Sequence, residues 1–228
     1  MRDKIKNEEY FDIFIKEDKE DIEFYQDKLD KNEVEEERIP IIEWKIFDLK
    51  LSALIAKYSR GDEIISLKNE FNEVLEKFLN IDNEEFFSYS SNLEFLSLAV
   101  LLNIDSESIE KIGEIIHEKD SLTEFLVNCG TFSDPKHILY PKGWKKLFDV
   151  ILVQNKEEQT KKLMDYINKR WYPINKVEGN LDNHESDQNV YFGYWCFEAG
   201  AVAKILNLDD PKLKGQQYYP YDMIHFKG

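Results

Sequence analysis

Apolar residues recur at spacings of three and four along most of this chain, the period of a helix with one buried face. The clearest case is residues 41–60, where Trp44, Phe47, Leu51, Leu54, Ile55 and Tyr58 share a stripe and Gly61 follows as a stop. A helix over about residues 8–30 is predicted on Ile13, Phe14, Phe24, Tyr25 and Leu29. Another over about 62–79 is predicted on Ile65, Leu67, Phe71, Val74, Leu75, Phe78 and Leu79. Pro40 resets the chain between the first two. Further helices are expected near residues 91–103, 106–119, 122–129, 143–154 and 157–171, with 131–135 and 174–187 as loops.

One stretch breaks the amphipathic pattern. Between Val190 and Leu206 the only charged residues are Glu198 and Lys204, so a buried central helix is predicted there. Three segments read L-N-I-D or L-N-L-D, ending at Asp82, Asp105 and Asp209. Asn tolerates a left-handed helix stop and Asp caps the helix that follows, a unit suited to antiparallel hairpins. No alternating strand pattern or Asn-Gly turn appears. The expected fold is therefore all-α, built of antiparallel helical hairpins. It has an N-terminal helical domain (1–120) packed on a C-terminal one (121–228) that holds the buried helix.

Charge sharpens this division. The 228 residues carry a net charge of −16. Residues 1–120 hold 32 Asp and Glu against 16 Lys and Arg, whereas residues 121–228 hold 14 of each. An acidic surface repels nucleic acid and steers basic partners, so direct nucleic-acid binding is excluded. The N-terminus is polar and no apolar run of membrane-spanning length is present, which predicts a cytoplasmic protein that neither enters a membrane nor is exported. Cys129 and Cys196 both sit in apolar helical contexts and are expected to be buried free thiols, in keeping with a reducing compartment.

Few motifs suggest chemistry. The nine glycines form no phosphate loop, and His117, His137, His184 and His225 have no ligand spacing, so neither a cofactor nor a metal is expected. Glu198 stands out because its neighbours are apolar. A carboxylate there serves as a catalytic acid or as a structural acceptor for a Tyr or Trp donor; the lack of a visible nucleophile or base favours the second. The aromatic group Tyr191, Phe192, Tyr194, Trp195 and Phe197 lacks interleaved Lys or Arg, so it reads as core rather than as a base-stacking platform. Tyr218 to Asp222, Y-Y-P-Y-D, reads as a C-terminal clasp whose tyrosines pack their rings inward.

The order Y-W-C-F-E-A-G, then L-N-L-D-D, then Y-Y-P-Y-D resembles the C-terminal domain of the PoNi family, bacterial immunity proteins that neutralise PoNe-type DNase toxins. Tyr58-Ser59-Arg60-Gly61 and the opening Arg2-Asp3 are similar to parts of that family's N-terminal domain. The resemblance implies a two-part helical protein of a contact-competition system. It would bind and inhibit a cognate DNase toxin, protect the producing cell, and not be an enzyme. It also implies architectural roles for Tyr194, Trp195, Glu198, Tyr219, Pro220 and Asp222, and it locates no interface.

Physical reasoning supplies candidates for one. A DNase presents a basic groove for phosphates, which an acidic surface can fill. One candidate cluster is Glu35, Glu36 and Glu37 beside Glu33; the other is Asp82, Glu84 and Glu85 beside Phe86, Phe87 and Tyr89. The second joins charge to aromatic anchors and is preferred. The competing readings are a helical adaptor or scaffold with a non-toxin partner, and a small hydrolase centred on Glu198. The sequence leaves open whether the chain forms a homodimer.

Overall fold

A computed structural model describes residues 1–81, 86–177, 182–209 and 211–228. The fold is all-α, with no strand among the described residues. The chain divides into two compact units, Met1–Phe86 with Asp182–Tyr194, and Phe87–Leu181 with Trp195–Gly228.

The first unit is built on α1 (Glu8–Asp30), α2 (Ile39–Arg60) and α3 (Ile64–Asn80), with α2 packed against both others. The Asn7 side chain opens α1 by accepting the Tyr10 N–H at 2.9 Å. Pro40 sits in the first turn of α2, where its missing N–H costs nothing. Gly61 closes α2 at φ +110°, and a Cβ there would lie 2.9 Å from the Met1 nitrogen. That close approach belongs to a latch. Ser59 O accepts the Arg2 and Asp3 N–H groups at 3.0 and 2.9 Å. The Arg2 guanidinium lies over the Tyr58 ring and donates to the Tyr58 and Asp62 carbonyls at 3.1 and 2.9 Å. Asp3 in turn accepts the Tyr191 hydroxyl at 2.5 Å.

The inward stripe of α1 differs from the expected one. Phe11, Phe14 and Asp18 are buried, while Ile13 and Phe24 are 48% and 54% exposed. Phe11, Phe14, Asp18, Ile22, Tyr25 and Leu29 form the true stripe at helical spacing, and Ile13 and Phe24 lie off it. Ile65, predicted on the inner face of α3, is likewise exposed.

The second unit holds α4 (Tyr89–Leu101), α5 (Ser106–Ile115), α6 (Ser121–Val127), α7 (Pro141–Ile151), α8 (Lys156–Tyr166), α9 (Tyr172–Val177), α10 (Phe197–Ile205) and α11 (Tyr221–Ile224). Asp105 caps α5 and Asp120 caps α6, the latter in a reciprocal box with Thr123. Asn103 and Asn207 adopt the left-handed conformation expected at helix ends. The first L-N-I-D segment behaves differently, since α3 runs on through Asn80; its Asp82 is outside the described residues.

Three boundaries move. The buried helix predicted over 190–206 is helical only from Phe197; Gly193 at φ +117° lies in the non-helical segment before it. The helix predicted to end at Trp171 is α8 followed by a π-helical turn, Ile167–Trp171, and then α9. Cys129 is exposed rather than buried, because α6 ends at Val127 and Cys129 turns out at φ +48° ahead of Gly130.

Candidate functional site

Two kinds of carboxylate occur in this protein, those that face solvent and those sealed inside. On the outside, Glu35 and the short 3-10 turn Glu36–Arg38 expose all three glutamates of the first candidate cluster. Among the described residues none of these three forms an ion pair. Asp82, Glu84 and Glu85 of the second cluster lie outside the described residues. Of its flanking aromatics, Phe87 is half-buried. Phe86 stacks on Trp44 with centroids 5.4 Å apart. Tyr89 is buried and donates to both Asp120 carboxylate oxygens at 3.0 Å. Tyr89 is thus committed to its own core and offers no exposed anchor. The outer surface of α1 adds Glu9, Asp12, Glu20, Asp21, Glu23 and Asp27, all exposed. Two of its ion pairs, Lys16–Glu20 at 3.6 Å and Lys19–Glu23 at 3.8 Å, are of the solvated i,i+4 kind, while Asp12 reaches Arg60 of α2 at 2.6 Å.

On the inside, Glu198 in the first turn of α10 accepts the Tyr166 hydroxyl at 3.2 Å and lies 3.4 Å from the Cys196 thiol. Burial raises its carboxyl to about 7, opposed by hydrogen bonds that include Cys196, Tyr166 and Trp171. The same burial pushes the Tyr166 hydroxyl and the Cys196 thiol well up, so neither is a nucleophile. Glu198 therefore sits as an acceptor among neutral donors. Lys204, the other charge of this helix, donates to the carbonyls of Leu101, Met223 and Phe226 at 2.6, 3.3 and 3.4 Å. It ties the ends of α4 and α11 to α10.

The remaining motif residues also face structure. Tyr194 is buried; its ring meets Tyr191 edge-on at 4.6 Å and its hydroxyl lies 3.0 Å from His184 Nδ1. Trp195 is half-buried, Tyr219 and Pro220 are buried, and Asp222 is exposed in the first turn of α11. The clasp is anchored by the Cys196 N–H, which donates to Tyr218 O at 2.7 Å. Pro220 fits because residue 200 is glycine: a Cβ there would lie 2.6 Å from the Pro220 ring. Among the described residues no group of His, Cys, Asp or Glu is placed to hold a metal, and no helix is long and apolar enough to cross a membrane.

Two family profiles cover nearly all of this chain: PoNe immunity protein (PoNi), N-terminal, over residues 2–114, and PoNe immunity proteins (PoNi), C-terminal, over residues 118–223. The chain belongs to the PoNi family. PoNi proteins are inhibitors and not enzymes, which removes the hydrolase reading of Glu198. No curated protein matches the chain significantly. Its fold is similar to that of protein PA2201 from Pseudomonas aeruginosa, seen in a crystal structure. The TM-score is 0.66 and the identity 15%, over 92% of this chain and 86% of that one. At that identity the likeness is one of fold alone.

Sequence reasoning missed two features of this PoNi chain. Asp120 is fully buried and gathers Tyr89, the Leu122, Thr123 and Leu139 N–H groups. Its D-x-x-T spacing was a readable capping signal. Asp18 is buried with Oδ2 lacking a hydrogen bond, and burial raises its carboxyl to about 7 against the pull of Lys45. Nothing in an acidic, amphipathic stretch marks which carboxylate will turn inward.

Proposed function

We propose that this PoNi chain inhibits a cognate PoNe toxin acting as a DNase, and that it does so by laying its acidic surface on the toxin's phosphate-binding groove. The observation that carries this reading is the division of charge. The unit of residues 1–86 and 182–194 holds 28 Asp and Glu against 14 Lys and Arg, and the other unit holds 18 against 16. A surface of that sign is drawn to a basic groove and repelled by DNA, which favours inhibition by occlusion. The division at about Asp120, between an acidic half and a neutral one, belongs to the same proposal. Glu35, Glu36 and Glu37 are the first candidate contacts, being exposed and without ion pairs among the described residues. Asp82, Glu84, Glu85 and Phe87 are the second. The protein acts where the toxin would, in the cytoplasm.

Co-expression tests the proposal. The PoNe toxin domain is expressed in a bacterium with and without this chain, while growth and chromosomal DNA integrity are followed. Rescue with intact DNA, accompanied by an association rate that falls steeply with salt, is the expected outcome. DNA degradation despite abundant folded chain would overturn it and leave the adaptor reading.

A further inference from the structure

The second unit contains a cleft that the acidic-surface proposal does not use. It lies between α5 and α6 and encloses about 290 Å³. That is at the small end for ligand sites and suits one side chain better than a cofactor. Its walls are apolar: Ile116, only 2% exposed, and Val127 both line it. The walls are held at close range, since a Cβ on Gly113 would lie 2.8 Å from Val127 Cγ2. The rim is acidic, with Glu110 and Glu114 from α5 and Glu124 from α6.

Among the described residues none of these three carboxylates forms an ion pair. Glu110 and Glu114 are one helical turn apart, a like-charged spacing that disfavours the helix unless a cation joins them. The two lysines nearest them make other contacts. Lys111 pairs with Glu107 at 2.7 Å, and Lys119 at the cleft turns its ammonium to the Glu114 carbonyl at 3.3 Å. Glu124 is fixed by the Ser133 N–H and hydroxyl, both at 2.8 Å, which hold its carboxyl below its ordinary range. An apolar slot with carboxylates at its mouth complements a long aliphatic stem ending in a planar cation. Such a cation can bridge two carboxylates, whereas an ammonium is a point charge.

We infer that the α5–α6 cleft receives one arginine side chain presented by the toxin. The inference rests on the immunity reading for the identity of the partner, while the cleft's chemistry stands without it. The test uses the full chain with labelled isoleucine and valine methyl groups. N-acetyl-arginine amide, N-acetyl-lysine amide and N-acetyl-norleucine amide are titrated in turn, and the same proteins are then assayed for binding to the PoNe toxin domain. Saturable shifts at Ile116 and Val127 are expected with the arginine probe, weakened at least fivefold in E110Q/E114Q, and the same variant should bind the toxin about tenfold more weakly. Equal shifts from the norleucine or lysine probe, or none from arginine, would overturn the arginine site. Unchanged toxin affinity in E110Q/E114Q would overturn its role in docking. Absence of toxin binding by the unaltered chain would instead count against the immunity reading, with the probe titration still deciding the cleft.

Discussion

Helices α1 and α10 treat charge in opposite ways. α1 spans 23 residues with ten carboxylates and three lysines, most of them in water. α10 spans nine residues with one carboxylate and one ammonium, each engaged by internal partners. A charge in water is nearly free and stays available to a partner. A charge inside must be neutralised, hydrogen-bonded or both, and is then committed to the fold. The same residue type therefore stays in water on one helix and serves architecture on the other. Asp18 is the exception within α1, a carboxylate on the inner stripe that follows the rule of α10.

Titration is the strongest way to sharpen this contrast. Burial lifts the Glu198 carboxyl from 4.5 to about 7, so between those values the folded chain holds a proton that the unfolded chain has lost. Stability should fall as pH climbs through that window, by about 3 kcal/mol from this group, and stay flat above it. Denaturant unfolding of Glu198→Gln, which keeps an acceptor for Tyr166, should remove this group's share of the slope. A comparable share, of the same sign, belongs to Asp18, which burial raises from 3.8 to about 7, and Asp18→Asn should remove that one. A wild-type profile that is flat or rises from pH 4.5 to 7 would contradict the buried state of both groups.

A smaller effect probes the packing around α10. Gly200→Ala places a methyl group 2.6 Å from the rigid Pro220 ring and 3.4 Å from Leu101. It should cost about 2 kcal/mol and lower the thermal midpoint. An unchanged midpoint would show that the C-terminal clasp yields freely. The smallest stability effect is expected on the exposed side. Reversing Glu35, Glu36 and Glu37 to Lys should alter stability by no more than about 0.5 kcal/mol. Association with the toxin domain at low salt should nevertheless slow by about tenfold. A large loss of stability, or an unchanged association rate, would dissolve the distinction between the two kinds of charge.

Periodicity and punctuation alone were enough to place most helices. The stripe Trp44–Tyr58 ending at Gly61, the order of segments around Glu198, and the imbalance of charge between the halves all follow from local chemistry. Each helix must turn its apolar face inward, and glycine alone adopts φ +110° without strain at the end of α2. The acceptor role of Glu198 was readable for the same reason, since its apolar neighbours oblige it to find donors. What the sequence left undetermined depends on neighbours distant along the chain. Which α1 positions face inward was decided by α2, so Phe11 and Asp18 are buried while Ile13 and Phe24 are not. The buried stretch 190–206 became helical only from Phe197, because Tyr218 O takes up the Cys196 N–H. The α5–α6 cleft arises from a helix crossing set by Gly113 and Val127, and no linear pattern encodes such a crossing. Short-range sterics and hydrophobic spacing are written in the order of residues; burial of a particular charge and the shape of a cavity exist only once separate helices have met.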